Sequence, residues 1–447
     1  MLAACLSVFG GALRARAQEP LETNDYNIDL FTSPVLGPGR IVGMGGAHVA
    51  IASAIDGAAY NPAGYAERLE KEIRFAAFDI TGGIWFGGLF RNYDFENNGK
   101  RGGLKSADTI QATLGMRVQI AQFGIGATAL GRVYTLKDGK GRAVSDLALL
   151  TVRMGAGYAF LDGGLVIGGG LVLTGLNVSK AGSALNDFGG LGFRGFGVEV
   201  GALVRPKYKR WRLGSVFRSA IEALPRDKNA VVDEDGVRRQ QGLVLPASAH
   251  VPWEFALGFA YQFGERRANV PWRNTRELRS ELARQIASGS YRPPPTYGEA
   301  PYPVLPHDVE KATDAALEHY REGERRLRRH QPRRYVLLAA DVLIYGKTEQ
   351  GQSMSGFLRQ MSEPSGQRLA IGVRVGAESE VWQDRMKVRL GTYLEPSRTS
   401  PKLYRPHGTL GLEARLFDFW YWSARATATI DVAPRYFNWG LAFGLWW

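Results

Sequence analysis

The sequence predicts an all-β chain: a transmembrane antiparallel β-barrel of about 14 strands, with an amino-terminal plug in its lumen and a helical periplasmic insertion. Three observations carry this reading. The chain ends in WGLAFGLWW, which as a strand sets Trp439, Leu441, Phe443, Leu445 and Trp447 on one face and mostly small residues on the other. Such a strand suits lipid on one side, and closing a barrel leaves no backbone group unpaired. Glycine reaches 56 residues and aromatics 11%, yet no run of 18 apolar residues exists beyond the amino-terminus. That excludes membrane helices but not membrane strands. Finally, period-2 segments separated by turn residues recur from about residue 72 onward.

Taken in order, residues 1–17 read as a secretory signal, with Ala15-Arg16-Ala17 as a small-x-small cleavage site. Cys5 is the only cysteine and leaves with that signal, which excludes disulfide frameworks and cysteine metal sites. Residues 18–71 are the expected plug. Strands 1–8 occupy 72–264, at 72–81, 108–120, 122–135, 146–160, 163–178, 193–205, 210–222 and 252–264. Strands 9–14 occupy 333–447, at 333–347, 368–380, 385–395, 407–417, 418–432 and 437–447. In these strands the apolar face is unbroken, as in Leu369, Ile371, Val373 and Val375. The opposite face mixes glycine with charges such as Arg374, better suited to a filled lumen than to bulk water. With a periplasmic carboxy-terminus, the short links fall at the periplasmic end and most long ones outside, the asymmetry of outer-membrane barrels.

Residues 265–332 break this rule. They form a long, basic periplasmic connection with helices expected at Thr275–Ile286 and Asp308–Arg329 around a proline-rich stretch. The acidic start and basic tail of the second helix agree with the helix dipole. This insertion either packs beneath the barrel or docks a periplasmic partner or anionic headgroups. It ends in the arginine pairs 325–326 and 328–329, in a chain whose net charge is +13. Nucleic acid is excluded as a partner, because an exported chain without a binding module offers no recognition element.

Between the signal and the first strand lies GMGGAHVAIASAIDGAAYNPAG, residues 43–64. Its small residues allow tight turns in a narrow space, and Asn61-Pro62-Ala63-Gly64 ends it as a turn. GlyMetGlyGly at 43–46 does not have the spacing of a dinucleotide loop. This segment resembles the amino-terminal signature of the FadL/TodX-type outer-membrane transporters of fatty acids and hydrocarbons. The resemblance also touches LeuProAla at 245–247, LeuGlyPheAlaTyr at 257–261, RLAIGVRVGAES at 368–379 and VRLGTYLEPSR at 388–398. It implies a 14-stranded barrel plugged by residues 18–71, with Gly43, Gly45, Gly46, Asn61, Pro62, Ala63 and Gly64 as the plug's motif. It further implies a hydrophobic ligand that enters from outside and leaves sideways at a kinked strand. The insertion and His48 depart from the family pattern. Related barrels also serve secretion as docking scaffolds, the alternative function.

The six histidines show no metal-ligand spacing and no nucleophile elbow appears, so neither catalysis nor a metal or cofactor is expected. Arg153, Arg374, Arg389 and Arg425 fall on lumen faces, where a cation could meet a ligand carboxylate or pair with Glu413, Asp341 or a plug carboxylate. Gly124, Gly126 and Gly131 of the third strand are candidates for the kink, or for close packing against the plug. The expected role is passive uptake of long-chain fatty acids or other hydrophobic molecules across a Gram-negative outer membrane. Its surroundings would be membrane lipid and lipopolysaccharide.

Overall fold

A computed structural model describes residues 19–31, 34–68, 75–87, 93–99, 104–181, 190–226, 230–266, 268–271, 275–292, 308–330, 334–400, 402–419 and 422–446. The expected signal at 1–17, most of the proline-rich stretch, Trp420 and Trp447 lie outside the described residues. The first seven wall strands are β1 (Ala76–Phe86), β2 (Lys105–Ile120), β3 (Phe123–Lys137), β4 (Ala143–Phe160), β5 (Leu165–Lys180), β6 (Leu191–Val204) and β7 (Trp211–Arg218). The rest are β8 (Glu254–Gly264), β9 (Tyr335–Tyr345), β10 (Ala370–Trp382), β11 (Met386–Pro396), β12 (Tyr404–Phe419), β13 (Trp422–Ala433) and β14 (Tyr436–Leu445). Each pairs antiparallel with the next. β1 then pairs with β14, from Thr81 opposite Gly444 to Phe86 opposite Trp439, and the ring is closed.

The reason these segments form a barrel is plain in β2. Ile110, Leu114, Met116, Val118 and Ile120 face outward and are 42–55% exposed. Gln111, Thr113, Arg117 and Gln119 alternate with them and are buried. The wall is therefore apolar outside and polar inside, the reverse of a water-soluble protein, and it needs hydrocarbon around it. No described helix is long and apolar enough to cross a membrane. Trp439, Leu441 and Phe443 lie on the exposed face as expected, whereas Leu445 is buried.

The plug enters from the end with the long loops. Asn27–Asp29 adds a short strand parallel to Ser248–Val251 and to Gly351–Gln352. Helix α1 (Gly39–Gly43) then packs on β11–β13, and α2 (Ala54–Ala58) on β1 and β2. A 3-10 turn, Pro62–Tyr65, lies against β4–β6. Finally Arg68 donates to the carbonyls of Phe75 and Ala121 at the short-turn end. The plug thus spans the lumen from end to end, and its first residues belong to the outer cap rather than to the middle.

That cap has its own core. Ile28 and Leu30 of the plug meet Leu136, Leu147, Leu176 and Phe193 from the strand tops and Phe357 of α5 (Met354–Arg359). At its edge, Glu96 accepts from the Ser355 amide at 3.0 Å, while its other oxygen is buried without a partner. Burial, with Glu363 and Asp94 nearby, pushes the Glu96 carboxyl up to about 7. The folded cap therefore holds this proton above the pH at which the unfolded chain releases it. Stability is full below the ordinary glutamate range and falls as pH rises towards and through 7. Melting curves of the detergent-solubilised protein between pH 5 and 8 should show this decline, and Glu96→Gln should flatten it.

At the opposite end, α3 (Thr275–Ala287) and α4 (Val309–His330) occupy the two expected helical stretches. They form a hairpin around Leu278, Leu282, Ala316 and Leu317. Asn269 ties its root to the rim, donating to the carbonyls of Lys209 and Trp211 at 2.8 and 3.0 Å.

Candidate functional site

The plug motif is seated by glycines in the wall. Asn61 caps the 3-10 turn, accepting from the Ala63 amide at 3.0 Å. Its amide nitrogen donates to the carbonyls of Val49 and Ala202 at 2.9 and 3.1 Å. A Cβ at Gly201 would collide with Asn61 Oδ1, and one at Gly168 with the Pro62 carbonyl. Arg117 holds the turn from the other side, donating to the carbonyls of Gly64 and Glu67 at 2.7 Å each. Gly43 packs against Gly411, while Gly45 and Gly46 take positive φ, which lets the chain turn directly against β11.

Above the plug lies a cavity of about 180 Å³. Leu30 and Phe31 of the plug line it towards the cap, with Leu36, Tyr60, Leu149 and Val172 around it. Two of the four expected arginines reach it. Arg374 donates to the Tyr345 hydroxyl at 3.3 Å and lies over the Tyr60 ring. No carboxylate among the described residues comes within salt-bridge distance of it. Asp341, one of its expected partners, accepts instead from the His48 and Val49 amides at 2.7 and 3.0 Å. Arg153 stands 3.6 Å from Glu199, a carboxylate it shares with Arg218. Sequence reasoning missed Arg132, which lines the same cavity with Nε and Nη1 unpartnered and is 8% exposed. Its place on the inward parity of β3, in step with Gly124 and Gly126, was the available signal.

The other two arginines lie elsewhere. Arg389 pairs with Glu378 at 2.6 Å and Glu413 at 3.0 Å. Arg425 pairs with Glu413 at 2.7 Å and with Asp56 of the plug at 2.5 Å. Arg40 of α1 completes the chain of charges through Glu378 at 2.8 Å. These groups fasten the plug to the wall. His48, the departure from the family pattern, is fully buried and neither ring nitrogen has a partner.

The wall does not break at the three glycines of β3. Gly124, Gly126 and Gly131 keep an unbroken ladder to both β2 and β4. Gly124 is small because the Tyr65 carbonyl of the plug presses on it, and Gly131 has open space beside it. Among the ladder's irregularities, one lies beside the cavity, in the seventh strand. Arg218 pairs with Glu199, but Leu224 pairs with Arg194, so residues 219–223 face only 195–198. The extra residue makes a bulge. There the Ser219 hydroxyl accepts from the Val198 amide at 3.0 Å, standing in for a backbone carbonyl. Ser219 and Ile221 also line the cavity.

No family model matches the sequence, and no curated protein does. Solved structures share the fold. The CymD monoaromatic hydrocarbon channel matches with a TM-score of 0.53 at 11% identity, over 93% of this chain and 97% of that one. A TodX monoaromatic hydrocarbon channel mutant matches with a TM-score of 0.50 at 12% identity, over 91% and 98%. A Pseudomonas aeruginosa FadL homologue aligns at 14% identity with a TM-score of 0.48, over 96% and 98%. At such identities the likeness is one of fold: a closed, plugged barrel.

Proposed function

We propose that the chain is a channel of the Gram-negative outer membrane for passive uptake of long-chain fatty acids or other hydrophobic small molecules. The observation that carries this reading is the cavity above the plug, part apolar and part cationic, where Arg132 and Arg374 have no carboxylate partner among the described residues. Such cations fit the carboxylate of an amphiphile, and Leu36, Leu149 and Val172 fit its tail. The names of the two channels that share the fold support a hydrophobic ligand. A sideways exit, which the resemblance implies, would fit the bulge at Ser219 better than the even ladder of β3.

The test is binding and uptake by the full-length protein in liposomes. Replacing Arg132 and Arg374 together by leucine should weaken binding of a long-chain fatty acid at least tenfold, since charged hydrogen bonds contribute roughly 1.5–3 kcal/mol each. Affinity for a neutral hydrocarbon should hold. Equal loss for both ligands, or none for either, would remove the reading.

The hairpin of α3 and α4 favours a second reading, a docking scaffold for a periplasmic protein. Leu278, Leu282, Ala316 and Leu317 are spent on its own core, so a partner would meet a mostly polar surface. Co-purification that is lost when 275–330 is deleted, with uptake intact, would support it.

A further inference from the structure

A second cavity, of about 80 Å³, lies on the short-turn side of the plug and has a different lining. Arg40, Lys387, Arg389 and Arg425 surround it with only Asp56, Glu378 and Glu413 between them. Arg210, Arg212 and Arg266 add three more cations against Glu67. Glu380, outside the cavity, stands 3.7 Å from Arg266. Guanidinium groups cannot shed their charge, so the arginines lining the chamber stay cationic. Hydrocarbon surrounds the wall, and buried charge without a counterion is costly there.

Two donors are free to answer an anion. Arg389 Nη1 and Arg425 Nε have no partner, although both side chains line the cavity and are 1% and 6% exposed. Arg389 already gives Nη2 to Glu413 and Nε to Glu378, and Arg425 gives Nη1 to Glu413 and Nη2 to Asp56, which fixes the plane of each guanidinium. Lys387 is held 3.7 Å from Glu413 and over the Trp446 ring. The volume exceeds a water molecule's share, roughly 30 Å³.

We propose that this chamber is a binding site for a small oxyanion, phosphate or a carboxylate head, reached from the periplasmic end. The oxyanion would bridge Arg389, Arg425 and Lys387, and through Arg40 and Asp56 its occupancy would report on the seating of the plug. The proposal does not depend on what crosses the upper cavity. It can hold while the Arg132 and Arg374 replacements leave uptake unaltered.

The test uses the full-length protein in detergent at constant ionic strength, titrated separately with inorganic phosphate and with hexanoate. Saturable binding, with a rise in melting temperature, is expected for at least one of them. Phosphate alone would identify a free periplasmic ion as the source, and hexanoate alone the head of a transported acid. Lys387→Met, which leaves the arginine–carboxylate chain intact, should weaken that binding roughly tenfold, the loss of one charged contact. Crystals soaked in bromide should show an anomalous peak between Arg389 and Arg425. Saturation unchanged in Lys387→Met, no saturation with either anion, or an empty chamber after soaking would overturn the proposal.

Discussion

Replacing Arg425 by methionine is expected to unfasten the second helix of the plug at a cost of about 3–5 kcal/mol, the usual result of breaking one side of a buried ion pair. Arg425 is 6% exposed and bonds both Glu413 and Asp56. Glu413 would keep Arg389 at 3.0 Å and Thr427 at 3.2 Å. Asp56 fares worse, because its other oxygen is already buried without a partner. The damage should therefore appear at the plug first. Hydrogen exchange should show amides of 54–58 losing protection while the wall strands keep theirs. Adding Asp56→Asn should recover a large part of the loss, since it removes the orphaned charge. If the double replacement is no better than the single one, the Asp56 pair does not anchor the plug.

Gly201→Leu should also unseat the plug, by another route. A side chain there meets Asn61 Oδ1 and Pro62. Neither can retreat, because Asn61 is held at both ends of its amide by Ala63, Val49 and Ala202. Overpacking of this kind costs about 1–3 kcal/mol or more. The wall itself should still close, since Gly201 pairs through its backbone with Gly168 and Val216. In planar bilayers the variant should pass steady ionic current where the parent is nearly silent. Gly131→Leu is the control, with nothing within 4 Å of the new Cβ. A silent Gly201→Leu barrel would mean that the Asn61 turn does not seal the lumen.

Most of the wall was legible because lipid outside and a filled lumen inside impose period 2 on every strand. β10 illustrates this, with Ile371, Val373 and Val375 exposed and Glu378 buried. The seventh strand was read straight through 210–222, although it stops at Arg218 and restarts at Ile221. Ser219 and Ala220 carry no sequence mark of a bulge, since the shift depends on the partner residues 195–198. The inward placing of Arg153, Arg374, Arg389 and Arg425 followed from parity alone. Which of them is matched did not, because Asp56 and Arg425 are 369 positions apart and meet only once the ring is closed. The sequence marks Asn61–Gly64 as a turn but not Arg117 as its clamp, for a single arginine on an inward face looks like any other.

The path of residues 19–68 bears on how the molecule is assembled. Leu21 bonds Gln360 at one mouth and Arg68 bonds Ala121 at the other, so this stretch runs through the ring like thread through a needle's eye. Either the strands wrap around a thread already in place, or its leading end must be fed through a finished eye. Since β1 and β14 complete the eye, whether that pairing precedes or follows the thread decides which.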